Sequence, residues 1–315
     1  MIRLLVAEPD DFPAEAKALL DEVAEVSLCA TPAEDLEGAF ADYDVVWLRL
    51  GSRVGPSQIG AHPRCRLIAV PATGTDHVDE AACERLGIRI VSLRGEVEFL
   101  RGIRATAEMT IALALALLRR IPEAAEHVRS GGWNRDAFRG HELAGRTAGV
   151  VGVGRLGEMV ARLLTAFGMR VLGYDPYRAF PAEVAERRDG LEALLAESDL
   201  VSLHVPYTLA TRHLLGAAAF RALKPGAVLV NTSRGGVIDE SALLEALDCG
   251  RLAGAALDVL EGEPGISREH PVVAAAIDDR RLLITPHLGG NTWESRDRAE
   301  VFLASKVAAE LRRER

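Results

Sequence analysis

The stretch that most restricts what this chain can become runs from Thr147 to Asp175. An apolar run, Ala148 to Val151, leads into Gly152-x-Gly154-x-x-Gly157. A helical pattern continues to Phe167, with Val160, Leu163, Leu164 and Phe167 on one face. A second apolar strand, Val171 to Tyr174, ends at Asp175. Strand, glycine turn, helix and strand make a βαβ unit with a phosphate-binding turn at its first strand end. Gly152 permits the tight exit, Gly154 keeps a Cβ out of the path of a pyrophosphate, and Gly157 lets the helix approach the sheet. The helix start then turns unbonded N–H groups and its positive dipole end toward phosphate oxygens. Three such glycines alone are only a turn and a cap. With strands on both sides and an acidic strand end, they predict a dinucleotide site. Asp175, placed to bond the ribose hydroxyls, would repel a 2′-phosphate, which favours NAD over NADP.

The 315 residues suit two domains, enough to bury roughly three quarters of the unfolded surface. A net charge of −9 argues against nucleic acid or an anionic membrane as partner, since both require basic patches. Cys29, Cys65, Cys83 and Cys249 are scattered, with no histidines clustered beside them. They read as reduced packing residues, and no metal site is expected. The opening M-I-R-L-L-V-A-E-P-D is unlike a signal peptide, and the apolar pattern from Met109 to Leu118 is too short for a membrane span. The expectation is a soluble, cytoplasmic protein.

Strand patterns at residues 2–7, 26–30, 45–48, 66–70 and 88–92 alternate with helical ones such as Pro13 to Val23, predicting a first α/β domain with an open parallel sheet. It has no glycine fingerprint. Two of its loops follow strand ends, where ligands bind in such sheets. One is Leu48-Arg49-Leu50-Gly51-Ser52; the other is Pro71-Ala72-Thr73-Gly74-Thr75-Asp76, whose amides form a possible anion nest. On pattern alone, the favoured reading makes Gly74 a plain turn and Arg49 a solvated or salt-bridged strand-end residue. A charged segment from Glu96 to Arg104 precedes a helix from Thr106 to Arg120, and the dinucleotide domain begins near Arg146. Later strands at 199–203, 226–231, 253–258 and 282–285 join the first two to give a six-stranded sheet. The last helix, Trp293 to Arg312, is placed to return to the first domain, and no added regulatory domain is evident.

Three strand ends in the second half carry polar residues of useful type: Asn231-Thr232-Ser233-Arg234-Gly235-Gly236, Asp258-Val259-Leu260-Glu261-Gly262-Glu263-Pro264 and Pro286-His287-Leu288-Gly289-Gly290. An arginine fork grips a planar carboxylate with two parallel bonds. An imidazole titrates near neutrality, and a carboxylate beside it favours the protonated, proton-donating form. Each loop by itself is an ordinary solvated turn; their joint placement is what suggests a site.

These residues resemble the NAD-dependent D-isomer-specific 2-hydroxyacid dehydrogenases over nearly the whole chain. The likeness rests on V-G-V-G-R-L-G with Asp175, H-V-P-Y-T-x-x-T-R-H-L-L from His204, L-V-N-T-S-R-G-G-V-I-D-E from Leu229, A-A-L-D-V-L-E-G-E-P and T-P-H-L-G-G. The resemblance implies an α/β protein with two Rossmann-like open parallel sheets and a cleft between them. A flavodoxin-like substrate domain (1–101 and 288–315) would flank a Rossmann cofactor domain (102–287), usually as a homodimer. It implies Arg234, Glu263 and His287 as the catalytic set, with His287 the acid–base and Glu263 its partner. The substrate carboxylate would meet Arg234, Arg49 and the amides of Ala72, Thr73 and Gly74. NAD would lie along Gly152, Gly154, Arg155, Leu156, Gly157 and Asp175. His204, Val205, Pro206, Thr211, Thr232, Ser233 and Gly290 would line it, and Asp258 would hold the carboxamide.

The expected reaction interconverts a D-2-hydroxy acid and its 2-oxo acid. Two departures from the family pattern stand out. His77 replaces a common asparagine, read as structural tuning, and residues 94–101 replace a short turn, placing them to shape the substrate mouth. Rival readings keep the scaffold: the same chemistry on a phosphorylated acid such as 3-phosphoglycerate, on glyoxylate, hydroxypyruvate, a larger 2-oxo acid or phosphite, or an NAD(H)-binding regulatory or corepressor-like protein. Formate fits less well, because that branch generally carries glutamine where Glu263 stands.

Overall fold

The structure, a computed structural model, describes residues 1–313. The chain forms two compact units, Met1–Ile103 with Thr292–Arg315, and Arg104–Asn291.

The first unit carries β1 (Arg3–Val6), β2 (Glu25–Leu28), β3 (Val45–Trp47), β4 (Leu67–Val70) and β5 (Arg89–Ser92). They pair in parallel in the order β2-β1-β3-β4-β5. This is the flavodoxin-like order, whose chain reversal falls between β1 and β3. The inner strands β1, β3 and β4 are short apolar runs covered on both faces, as parallel strands require. The edge strands β2 and β5 are partly exposed. One face is covered by the closing helix, Trp293–Arg313, whose buried Ala299, Leu303, Ala304, Val307, Ala308 and Leu311 recur at helical spacing. The segment around 94–101 docks on that helix. Within it Val97–Leu100 is one helical turn, Phe99 stacks on Phe302 at 4.0 Å, and Lys306 reaches Glu96 at 2.7 Å.

The second unit carries β6 (Thr147–Val151), β7 (Arg170–Tyr174), β8 (Glu186–Arg187), β9 (Leu200–Leu203), β10 (Ala227–Asn231), β11 (Leu252–Leu257) and β12 (Leu282–Ile284). The order is β12-β11-β10-β9-β6-β7-β8, all parallel. That is the doubly wound dinucleotide-binding arrangement with its switch point between β6 and β9, extended by one strand. The sequence pattern predicts six strands. The seventh, β8, is two exposed charged residues and has no apolar signal to betray it.

The helix after β6, Arg155–Ala166, buries Gly157, Val160, Ala161 and Leu164. Its inward face is therefore turned from the predicted one: Phe167 caps the helix and is 42% exposed. A helix at Ala105–Leu118 packs on this unit's core, and a second, Ile121–Arg129, follows it. No helix among the described residues is long and apolar enough to cross a membrane.

Candidate active site

The glycine turn after β6 is built as its three roles require. Gly152 has φ +86°, and a Cβ there would lie 2.8 Å from the His204 carbonyl oxygen. A Cβ on Gly157 would lie 2.0 Å from the Gly152 carbonyl oxygen. Both positions are closed to any side chain. Gly154, which caps the helix, faces open space where its Cβ would be. That combination leaves room for a phosphate group against the first helical turn, where Arg155 and Leu156 stand, and fits a dinucleotide. Asp175 closes the end of β7. One of its oxygens accepts from the Val153 N–H at 3.1 Å, and the other from those of Tyr177 and Arg178, each at 3.0 Å.

The neighbouring strand ends present the remaining predicted residues. Beyond β9, the His204 ring bonds Ser202 Oγ at 2.8 Å, and burial pushes its pKa down to about 4. The ring is enclosed although the residue as a whole is partly exposed. Val205 packs under the glycine turn, and the Thr211 hydroxyl donates to the Pro206 carbonyl at 2.6 Å. Beyond β10, Thr232 meets Thr110 hydroxyl to hydroxyl at 2.8 Å, and Ser233 donates to the Asn231 side chain. Arg234 is half-buried, with Nη1 donating to the Ser233 carbonyl at 2.7 Å.

The ends of β11 and β12 are joined by Asp258, which is 1% exposed. One carboxylate oxygen accepts from the Thr285 hydroxyl at 2.5 Å and the Leu288 N–H at 2.8 Å. The other accepts from the Gly289 N–H at 2.7 Å. The Asp258 carbonyl in turn accepts from the His287 N–H at 2.8 Å. The loop of residues 285–289 is thus folded around one buried carboxylate, and His287 sits at its centre with φ +55°. A non-glycine residue held in that region stores strain, which surrounding bonds must offset. The His287 ring faces Glu263, with Nδ1 2.6 Å from Oε2. Glu263 is itself fixed by the Leu260 N–H, which donates to Oε1 at 2.6 Å. The pair is about one quarter exposed, and so open to a ligand.

Sequence reasoning names Asp258 and Gly290 for the cofactor but does not find Thr285 or Leu260, whose donors fix the two carboxylates. The threonine in T-P-H-L-G-G was the available signal. Gly290 is exposed with open space around it.

In the first unit, Arg49 is ion-paired to Glu300 at 2.6 Å and donates to the Asp10 carbonyl at 2.7 Å. Its Nη2 is buried without a hydrogen-bond partner. In the loop after β4, Ala72 is tied to Val70 and Leu93, whereas the N–H groups of Thr73 and Gly74 have no partner among the described residues. His77 is buried, and its carbonyl accepts from the Val54 N–H. Arg94 reaches back to Thr75 at 2.5 Å and Glu80 at 2.8 Å, tying the unusual segment to this loop.

Sheet order, glycine turn and strand-end carboxylates together define a doubly wound, dinucleotide-binding α/β protein. Residues 111–289 match the family model for the D-isomer specific 2-hydroxyacid dehydrogenase, NAD binding domain. The chain belongs to this family, and its cofactor is NAD. It is 36% identical to D-3-phosphoglycerate dehydrogenase of Methanocaldococcus jannaschii, over 100% of this chain and 58% of that one. It is 32% identical to hydroxypyruvate reductase of Thermotoga maritima, over 98% of each. Identity to glyoxylate reductase of Aeropyrum pernix is 36%, over 95% of this chain and 90% of that one. The chain spans a little over half the length of the phosphoglycerate dehydrogenases it matches. Among solved structures, D-lactate dehydrogenase from Aquifex aeolicus, complexed with NAD and lactic acid, aligns with a TM-score of 0.83 at 27% identity. That match covers 98% of this chain and 95% of that one.

Proposed function

We propose that the chain is an NAD-dependent oxidoreductase that interconverts a D-2-hydroxy acid and its 2-oxo acid. The observation that carries this reading is the 2.6 Å contact between His287 Nδ1 and Glu263. A carboxylate facing Nδ1 keeps a proton on that nitrogen, so Nε2 is the atom that exchanges a proton with the substrate oxygen. In reduction, doubly protonated His287 gives its Nε2 proton to the carbonyl oxygen. In oxidation, neutral His287 takes the hydroxyl proton. Bound along the Gly152–Gly157 turn, NAD supplies or receives the hydride. Asp258 keeps the loop of residues 285–289 in place while His287 cycles between its charge states.

Arg234 is the planar fork for the substrate carboxylate. Within the five-stranded unit, the N–H groups of Thr73 and Gly74, unpartnered among the described residues, and the unpaired Nη2 of Arg49 support an anion contact. The substrate class is small 2-oxo acids, phosphorylated ones included, which is the range named among the relatives. Exposed Ile121, Val128 and Trp133 on and after the helix Ile121–Arg129 support self-association, and the proposed state is a cytoplasmic homodimer. The deciding experiment mixes protein, NADH and a panel of 2-oxo acids and follows the reduced-nicotinamide absorbance. Rapid loss with one acid is expected. Tight NADH binding without turnover on any acid would favour a sensor instead.

A further inference from the structure

Behind the acid–base pair, a second carboxylate and a second imidazole close on the backbone of Glu261. Glu240, the first residue of the helix Glu240–Asp248, accepts the Glu261 N–H on Oε1 at 2.9 Å. His270 Nε2 lies 3.2 Å from the Glu261 carbonyl oxygen and 3.3 Å from Glu240 Oε2. Both partners of that nitrogen are acceptors, so Nε2 carries the proton and shares it between them. Glu261 is therefore bracketed on its N–H and on its carbonyl by two side chains that also hold each other.

The bracketed backbone is a junction. A Cβ on Gly235 would lie 1.9 Å from the Leu260 carbonyl carbon and 2.1 Å from the Glu261 nitrogen, so the turn that carries Arg234 rests directly on this peptide. On the other side, the Leu260 N–H fixes Glu263 Oε1, and Glu263 Oε2 faces His287. A shift of Leu260–Glu261 moves the Glu263 carboxylate and unseats the Arg234 turn together. Glu240 and His270 are 15% and 16% exposed, and burial pushes the Glu240 carboxyl up. A buried ionisable pair is a poor source of net stability, since an apolar pair of like volume is often as good. Its retention at this junction calls for another reason.

We propose that Glu240 and His270 are positioning residues for the reaction, holding the Glu261 backbone so that the Glu263 carboxylate meets His287. The proposal rests on the dehydrogenase reading above. Glu240→Ala should lower kcat about tenfold or more, while NADH affinity stays within about twofold. Glu240→Gln keeps an acceptor for the Glu261 N–H and should recover most of that loss. The proton between His287 and Glu263 gives a second readout, as a downfield NMR resonance assigned by its disappearance in His287→Gln. It should fade in Glu240→Ala and persist in Glu240→Gln.

His270→Ala and His270→Gln provide the same contrast should Glu240→Ala fail to fold. Unchanged kcat and resonance in the alanine variants would overturn the proposal. So would equal losses in alanine and glutamine variants that track the fraction of folded protein. Wild-type protein that reduces no 2-oxo acid, yet shows the resonance fading in Glu240→Ala, would sink the dehydrogenase reading and leave the positioning role standing.

Discussion

Both parallel sheets hold strand-end loops with carboxylates that accept backbone N–H groups, and the five-stranded unit adds an ion pair to that device. In the seven-stranded unit, buried or half-buried carboxylates take backbone and hydroxyl donors: Asp258 holds the loop of residues 285–289, Asp175 the turn after β7, and Glu263 the Leu260 N–H. In the five-stranded unit, the loop after β3 is held by Glu8, which accepts from the Arg49 and Gly51 N–H groups, and by the Arg49–Glu300 ion pair. Burial pushes the carboxyls of Glu8 and Glu300 up. A carboxylate-to-backbone bond fixes a loop through its main chain. An ion pair fixes the cationic side chain itself. Under the proposed function, proton transfer belongs to the seven-stranded unit and an anion contact to the five-stranded one.

The severest test of that assignment is His287→Ala. Turnover should fall by roughly 10²–10⁴-fold with NADH affinity nearly intact, because general acid–base help is of that size. Steady-state kinetics beside fluorescence titration with NADH check it, and unchanged turnover would remove His287 from the mechanism.

Arg49→Ala sharpens the contrast from the other side. Removing one partner strands a buried Glu300, so unfolding in urea should show about 3 kcal/mol of lost stability, accompanied by a higher KM. Lost stability with an unaltered KM would make Arg49 purely structural.

A third expectation concerns acid. The pKa of His204 in the folded protein, about 4, lies below its ordinary 6.5, so the unfolded chain binds the proton first as pH falls. Stability held above pH 6.5 should therefore decline toward pH 4 by up to about 3 kcal/mol from this group. Urea unfolding at several pH values, with His204→Asn flattening the decline, measures it.

The smallest effect is on cofactor choice. Asp175→Ala should shift the NAD-to-NADP preference by about tenfold toward NADP, roughly 1.4 kcal/mol, read from kcat/KM with each cofactor. No shift would argue against the ribose role.

What the sequence revealed and what it hid follow from range. The glycine turn, the apolar strands and the acidic end of β7 are local patterns, each with its own periodicity or spacing, and they fall where expected. The 24-residue separation of Glu263 and His287 has no local signature, and only the family motifs linked the two. Glu240 looks like any acidic residue in a first helical turn, and His270 like a residue before a helix-starting proline. Only the stacking of β10 beside β11 brings both to Glu261. Arg94 and Thr75 likewise meet through the pairing of β4 with β5, which a 19-residue gap conceals.

The left-handed backbone at His287 limits what mutation or selection can place there. Asparagine tolerates that conformation at small cost, whereas valine or isoleucine would add steric strain to the lost imidazole. Asparagine is therefore the cleaner probe of the proton-transfer step. A lineage that abandoned the chemistry while keeping the scaffold would be expected to drift toward asparagine or glycine at this position.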